Sequence, residues 1–170
     1  MLSRASFPLR HRLFRALWKT TWLLLAAWTP PPLHTWRCLI LRAFGAHIGS
    51  GARVYGSADI FYPPHLSMGR NAVIGWKTVI YCQAPITLGE GAVISQFAQL
   101  VTGTHNIDAP GFRLVSRPIH IGADAWVAAN AFVGPGVSIG AGAVLGACGV
   151  TRKDLAAGAV YAGNPARRLR

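Results

Sequence analysis

The sequence predicts an all-β solenoid, because an aliphatic residue returns every six positions between Ile48 and Leu155. A small residue usually stands four places after each of these aliphatic residues. A period of six differs from the period of an open sheet and from that of a helix, and it is typical of a solenoid whose unit is one short strand and a turn. The clearest units are IGSGAR from Ile48, VYGSAD from Val54, IGWKTV from Ile74, ISQFAQ from Ile94, VAANAF from Val127, VGPGVS from Val133, IGAGAV from Ile139 and LGACGV from Leu145.

The spacing of matching units indicates that three units close one triangular coil. Ile48, Met68 and Leu88 each begin a unit of the form aliphatic, Gly, x, x, Ala, and they stand 20 residues apart. Ile121 and Ile139 begin matching units 18 residues apart. The two extra residues of each early coil fit at a corner, where the segments FYPPHLS and YCQAPIT carry proline. We therefore expect the aliphatic side chains to point inward and most glycines and alanines to be structural.

The chain of 170 residues predicts one domain in three parts. Residues 1–47 form a basic and apolar helical segment. Residues 48–155 form the β-helix, from which a loop departs at about 103–118. Residues 156–170 form a basic tail.

The N-terminal segment predicts an amphipathic helix that stops at the three prolines Pro30, Pro31 and Pro32, and a second short helix over 36–44. The charge-free stretch 20–36 contains those prolines and is too short to span a bilayer. The helices either cap the open end of the solenoid or lie on an anionic membrane surface, and one helix could do both. A signal peptide is a rival interpretation, but no small-x-small cleavage site follows the apolar run. The expected apolar face, which would pack on the solenoid or enter the lipid headgroups, comprises Phe14, Leu17, Trp18, Thr21, Leu25 and Trp28. The cations expected to meet lipid are Arg4, Arg10, Arg12, Arg15 and Lys19.

The charge balance predicts partners that carry negative charge. Seventeen Lys and Arg stand against five Asp and Glu, and no acidic residue precedes Asp59. Nucleic acid is not expected, because no binding motif is present and the cations lie near the two ends of the chain. A phosphorylated cofactor at one end and a membrane at the other would account for both clusters. The three cysteines are odd in number and lack metal spacing, which favours a reducing compartment such as the cytoplasm.

The repeat breaks between Leu100 and Ile121, which are 21 residues apart where the earlier coils allow 8. About 13 residues therefore leave the wall as a loop, and loops on a rigid scaffold often carry function. His105 lies at the root of this loop. A histidine alone could equally be an ordinary surface residue.

The chain resembles the exopolysaccharide O-acetyltransferases of the colanic-acid type, which are close to the maltose, galactoside and nodulation-factor acetyltransferases. The resemblance is carried by WRCLILRAFGAHIG at 36–49, ISQFAQLVTGTH at 94–105, PIHIGADAWVAANAFVGPGVSIGAGAVLGA at 118–147 and GNPARRLR at 163–170. It implies a left-handed parallel β-helix of hexapeptide repeats, an exception to the usual right-handed crossover. It also implies acetyl-CoA as co-substrate, a sugar or lipid-linked glycan as acceptor, and a homotrimer with sites between subunits.

Roles for single residues follow from the same resemblance. His105 would be the general base, with no covalent enzyme intermediate. Relatives carry Asp after this histidine where the chain has Asn106, so Asp108 is the candidate to orient the ring. Ala129 and Ala147 would leave room for the pantetheine arm. Lys153, Arg167 and Arg170 would bind CoA phosphates, for which arginine supplies a planar pair of donors.

Two alternatives belong to other classes. The carbonic anhydrases of this fold hold zinc with three histidines, two of them five residues apart, and no such pair occurs here, so no metal is expected. A non-catalytic β-helix scaffold at the membrane would keep the repeat and the N-terminal helices. Two departures from the related sugar acetyltransferases keep this alternative open. The chain has Asn106 after the histidine, and it lacks the Asn that those enzymes place about thirty residues before the histidine.

Overall fold

The computed structural model describes residues 8–170 as a triangular parallel β-helix preceded by two helices, α1 over Leu9–Leu25 and α2 over His34–Ala43. Three parallel sheets form the walls, named faces A, B and C in the order in which each coil visits them. Face A contains β1 His47–Ile48, β4 Leu66–Met68, β7 Ile86–Leu88, β12 Ile119–Ile121 and β15 Ser138–Ile139. Face B contains β2 Arg53–Val54, β5 Val73–Ile74, β8 Val93–Ile94, β13 Trp126–Val127, β16 Val144–Leu145 and β18 Val160–Ala162. Face C contains β3 Asp59–Ile60, β6 Val79–Tyr81, β9 Gln99–Val101, β14 Phe132–Val133 and β17 Val150–Thr151.

The repeated aliphatic residues fill the core as columns that run from coil to coil. On face B, Val54, Ile74, Ile94, Val127 and Leu145 pair in one register and are completely buried. Each such side chain contributes about 1.5–3 kcal/mol when it is fully removed from water. The six-residue period therefore marks the buried positions, as the sequence predicts.

Small residues are required where the wall turns between faces A and B. A Cβ added to Gly69 would lie 2.6 Å from the backbone nitrogen of Glu90 in the next coil, closer than real contacts allow. Two residues further along the turn the backbone is left-handed, at Asn71 in this coil and at Gly91, with a φ of 67°, in the next, where glycine takes the conformation without strain. The structural interpretation of these glycines is confirmed.

The two helices lie across the open edge of the first coil and donate hydrogen bonds to it. Parallel edge strands present unpaired carbonyl groups, which are costly when they are buried without a donor. Here side chains of α1 and α2 supply the donors. The pairs are Trp18 Nε1 with the Ile60 carbonyl (2.7 Å), Trp22 Nε1 with Gly56 (2.9 Å), Arg37 Nε with Val54 (2.6 Å) and Arg42 Nη2 with Ile48 (2.8 Å).

Arg37 holds the connection between the helices against this edge. Its side chain is completely buried, and its Nη atoms donate to the carbonyls of Thr29, Pro30 and Pro31. Burial lowers the pKa of the guanidinium, and the carbonyl partners stabilise its charge. The residues joining α1 to α2 are thereby fixed on the first coil.

The side of α1 that packs on the solenoid coincides only in part with the expected apolar face, which shares Phe14 and Trp18 with it. The helix ends at Leu25, so Trp28 lies beyond it and is 72% exposed, while Leu17 is 61% exposed. Trp22, which the expected face omits, is buried beside Trp18. The spacing could not separate the two possibilities, because both sides of α1 are apolar. Arg4 lies outside the described residues.

The solenoid continues past residue 155, where the sequence placed its end. The last face B strand, β18, pairs in parallel with β16, and the chain then doubles back as the antiparallel strand β19 over Arg167–Arg168. Residues 156–162 therefore belong to the wall, and only the segment after them is a tail.

Candidate functional site

The loop predicted at about 103–118 is a hairpin on the corner between faces C and A, here the CA corner. Its strands are β10 over Gly103–His105 and β11 over Leu114–Ser116, which pair antiparallel. The buried Thr102 fixes its root, because its hydroxyl donates to the Tyr81 carbonyl (2.9 Å) and its own carbonyl accepts the N–H of Arg117 (2.9 Å). The hairpin is thus anchored on the preceding coil.

His105 is exposed on this hairpin, and one of its ring nitrogens has a definite partner. Nδ1 lies 2.6 Å from the main-chain carbonyl oxygen of Phe112. A carbonyl can only accept a hydrogen bond, so Nδ1 carries a proton and, in the neutral ring, Nε2 keeps a lone pair. The contact fixes both the orientation and the tautomer of the imidazole.

Asp108 has a different relation to the histidine from the one expected. The Asp108 backbone N–H donates to Asn106 Oδ1 at 3.0 Å, which forms a tight turn in the hairpin. No hydrogen bond or ion pair joins the Asp108 carboxylate to the His105 ring in the described part of the chain. The hydrogen-bond partner of the ring is a main-chain group that sequence reasoning missed, and no residue type marks such a group.

A cleft of about 460 Å³ opens beside the histidine. Its lining includes Thr104 and Asn106, the two neighbours of His105, but not the His105 side chain itself. Two arginines from different parts of the chain, Arg117 and Arg152, also line it. A second cleft of about 690 Å³ runs along residues 150–168 and is lined by Arg152, Lys153 and Arg167. Arg152 lines both clefts, so they adjoin at this residue, and the two together are here called the basic path.

The positive charge of this path is largely uncompensated. Asp154 is the acidic residue in its lining, and its carboxylate accepts the backbone N–H of Ser138 (2.8 Å). Arg117 was not singled out from the sequence, and its position directly after the β11 strand is the signal that could have identified it. The arrangement suits a ligand that carries phosphate at one end.

The expected site residues fall into two groups on opposite sides of face C. His105 and Lys153 lie on the CA corner, while Ala129 and Ala147 lie on the corner between faces B and C, the BC corner. Ala129 and Ala147 stand in successive coils, since the N–H of the residue after Ala147 donates to the Ala129 carbonyl. Arg167 lines the second cleft, and Arg170 is exposed at the chain end. A single chain does not bring the two alanines next to the histidine.

Within residues 8–170 no three His, Cys, Asp or Glu side chains are grouped as a metal ion would require. In the same range no helix is both long enough and apolar enough to cross a bilayer.

Comparison with known families identifies the repeat. Residues 118–153 match the bacterial transferase hexapeptide (six repeats), and residues 65–95 match the hexapeptide repeat of succinyl-transferase. The chain is 40% identical over 154 residues to WcaF of Escherichia coli (strain K12), which is named for colanic acid biosynthesis acetyltransferase activity. That match covers 91% of this chain and 85% of WcaF.

Two solved structures have the same fold along almost the whole chain. One is the hexapeptide-repeat acetyltransferase VCA0836 of Vibrio cholerae in complex with acetyl coenzyme A, with a TM-score of 0.87, 24% identity, and coverage of 98% of this chain and 91% of that one. The other is a maltose O-acetyltransferase of Clostridium difficile 630, with a TM-score of 0.85, 25% identity, and coverage of 96% and 88%. The expected fold class, a left-handed parallel β-helix with N-terminal helices and one long loop, is confirmed. The chain belongs to the hexapeptide-repeat acetyltransferases, in the branch that contains the colanic-acid-type enzymes.

Proposed function

We propose that the protein transfers an acetyl group from acetyl-CoA to a sugar hydroxyl of a surface glycan, with His105 as general base. The observation that carries this proposal is the hydrogen bond from His105 Nδ1–H to the Phe112 carbonyl, which leaves Nε2 as a proton acceptor on the hairpin that borders the cleft. The relatives support the acceptor class, since one is named for colanic acid biosynthesis and another for maltose.

The transfer is direct in this proposal. Nε2 takes the proton of the sugar hydroxyl while the hydroxyl oxygen attacks the thioester carbonyl carbon. The C–S bond then breaks, the new ester leaves, and the imidazolium returns its proton to the CoA thiolate. The Phe112 carbonyl stabilises the transient positive charge on the ring because it accepts a hydrogen bond from Nδ1–H throughout.

The basic path provides the cofactor site. Lys153 and Arg167 line its outer cleft, and with Arg170 they bind the CoA phosphates through charge-assisted hydrogen bonds. Arg152 extends the positive charge toward the hairpin. Asp108 is a carboxylate of the same hairpin, with a minor influence on the histidine.

Two neighbouring chains complete each site. Ala129 and Ala147 lie on the BC corner, away from His105, so the pantetheine groove that they would line belongs to another subunit of a homotrimer. To test this, His105→Ala chains are mixed with Ala147→Trp chains, in which the exposed groove position is filled. Activity should return in the mixture, because one junction then combines an intact histidine with an intact groove. Mixtures as inactive as their parents would mean that each chain forms a whole site.

We further propose that the reaction takes place in the cytoplasm, at the inner face of the cytoplasmic membrane. The free cysteines Cys38, Cys82 and Cys148 support a reducing compartment. The absence of acidic residues between positions 8 and 58 supports an anionic surface as neighbour.

The experiment that tests the function is acetyl-CoA turnover against a panel of soluble and lipid-linked glycans, with thiol release and acetyl-sugar product measured together. We expect release of CoA that depends on a glycan. A protein that folds and binds CoA but transfers nothing to any glycan would support the scaffold alternative.

A further inference from the structure

Helices α1 and α2 with the segment that joins them are here called the cap. The cap carries many exposed apolar side chains that do not pack on the solenoid. Of the sixteen large hydrophobic side chains that are exposed in the described residues, ten lie between residues 9 and 39. The cap therefore has a second apolar surface besides the one that seals the first coil. Patches of this kind mark sites of protein or membrane contact.

Helix α1 has two apolar faces on opposite sides. The inner face carries Trp18 and Trp22, which are buried against the first coil. The outer side carries leucines at helical spacing, each more than 60% exposed, and is here named the outward leucine face. It comprises Leu9, Leu13, Leu17 and Leu24.

Basic residues border the outward leucine face, and acidic residues are absent from it. Arg10 and Arg12 are exposed on the same helix, and Lys19 forms an ion pair with Asp59, the first acidic residue of the chain. A second copy of the chain would bring like charges together at this surface. An anionic bilayer offers negative headgroups for these cations and an apolar layer for the leucines.

We infer that the outward leucine face docks on an anionic lipid bilayer, with α1 lying in the headgroup region and the solenoid standing on its capped end. The inference deepens the proposed function, on whose membrane location it rests. It also changes the side of the helix that meets lipid, because the tryptophans at 18 and 22 are committed to the solenoid.

The catalytic hairpin stands on the same corner as the beginning of α1. His11 stacks on the Tyr62 ring at 4.5 Å, and Tyr62 lies on the CA corner of the first coil. The hairpin leaves this corner two coils higher, at about 10 Å along the axis for parallel strands spaced about 4.8 Å apart. Because a helix is about 10 Å in diameter, the root of the hairpin stands roughly 20 Å from the outward leucine face. A glycan held on a lipid carrier would extend toward it.

The test is co-sedimentation of the full chain with vesicles of phosphatidylcholine alone or mixed with phosphatidylglycerol. The triple variant Leu13→Gln, Leu17→Gln, Leu24→Gln removes the apolar contact while keeping residues of good helix propensity. We expect it to bind mixed vesicles at least tenfold more weakly than the wild type. Leu169→Gln is the matched control, because Leu169 is 67% exposed among arginines at the other end of the solenoid; its binding should not change.

A second pair of variants tests the charge. Arg10→Gln with Arg12→Gln should weaken binding to the mixed vesicles, and added salt should weaken binding of the wild type. Arg53→Gln, an exposed arginine on face B, should have no effect. All variants are checked for thermal stability and for acetyl transfer to a soluble glycan, which should remain at wild-type level in the triple variant.

Three outcomes would overturn the inference. They are a wild type that ignores mixed vesicles at low salt, a triple variant that binds like the wild type, and a triple variant whose oligomer dissociates, which would assign the face to contact between copies. A wild type that binds the mixed vesicles but transfers no acetyl group to any glycan would instead refute the proposed function. The two failures are therefore distinguishable.

Discussion

The cap and the CA corner are both rich in cations, but they surround those cations differently. On the cap, Arg10 and Arg12 lie among exposed leucines of one helix. On the CA corner, Arg117, Arg152 and Lys153 line two joined concave clefts. A convex apolar surface with cations suits lipid, whereas a concave basic one suits a phosphorylated small molecule. The chain has a net charge of +12, and the local shape around each group of cations determines which partner that group suits.

The largest expected effect is a loss of turnover from a change on the CA corner that leaves the cap intact. His105→Ala should lower kcat about 10²- to 10⁴-fold, the usual contribution of a general base, without changing stability because the side chain is exposed. Steady-state kinetics and a thermal melt of the same sample measure both. His120→Ala, an exposed histidine on face A, is the control. Near wild-type turnover in the His105 variant would remove the residue from the mechanism.

The next effect separates the two faces of α1. Trp18→Ala should cost about 3–5 kcal/mol in the free energy of unfolding, because it removes a buried aromatic and the donor to the Ile60 carbonyl. Leu17→Ala, at the adjacent exposed position, should change stability by only about 0.5 kcal/mol. Denaturant unfolding of both variants measures the difference. Equal losses would mean that α1 packs in another orientation.

A smaller effect sharpens the assignment of the clefts. Lys153→Ala and Arg167→Ala should each weaken CoA binding by about 1.5–3 kcal/mol, the range for a hydrogen bond to a charged group. Binding of a pantetheine analogue without phosphates should be unaffected. Calorimetry with both ligands measures the contrast. If the two ligands weaken equally, these residues act on the fold and not on phosphate.

The smallest effect concerns the acidic residue of the hairpin. Asp108→Asn should leave most activity in place, because the histidine ring already has the Phe112 carbonyl as partner. Phe112→Ala should also retain activity, since the contact uses the main chain. A loss in Asp108→Asn as large as that in His105→Ala would show that the carboxylate moves to the ring in the working enzyme.

What the sequence could predict was set by local periodicity. Val54 and Ile74 indicate buried columns because each follows the same six-residue period as its neighbours. The length between Leu100 and Ile121 predicts that a loop leaves the wall, but not that the loop is a hairpin. The Phe112 carbonyl could not be predicted, because main-chain groups are identical at every residue. The inner face of α1 could not be predicted either, since leucines and tryptophans on both sides satisfy the same spacing, and only the carbonyls of the first coil select Trp18 and Trp22.

The donors that seal the first coil bind its backbone, with Trp22 on the Gly56 carbonyl and Arg37 on that of Val54. These hydrogen bonds depend on the backbone path of the coil, whereas the contacts of Lys19 with Asp59 and of His11 with Tyr62 depend on its side chains. The first coil can therefore change its other exposed side chains over evolutionary time without losing the backbone contacts of its cover. The same two helices form a transferable part, which should fit the first coil of another triangular solenoid with this backbone path.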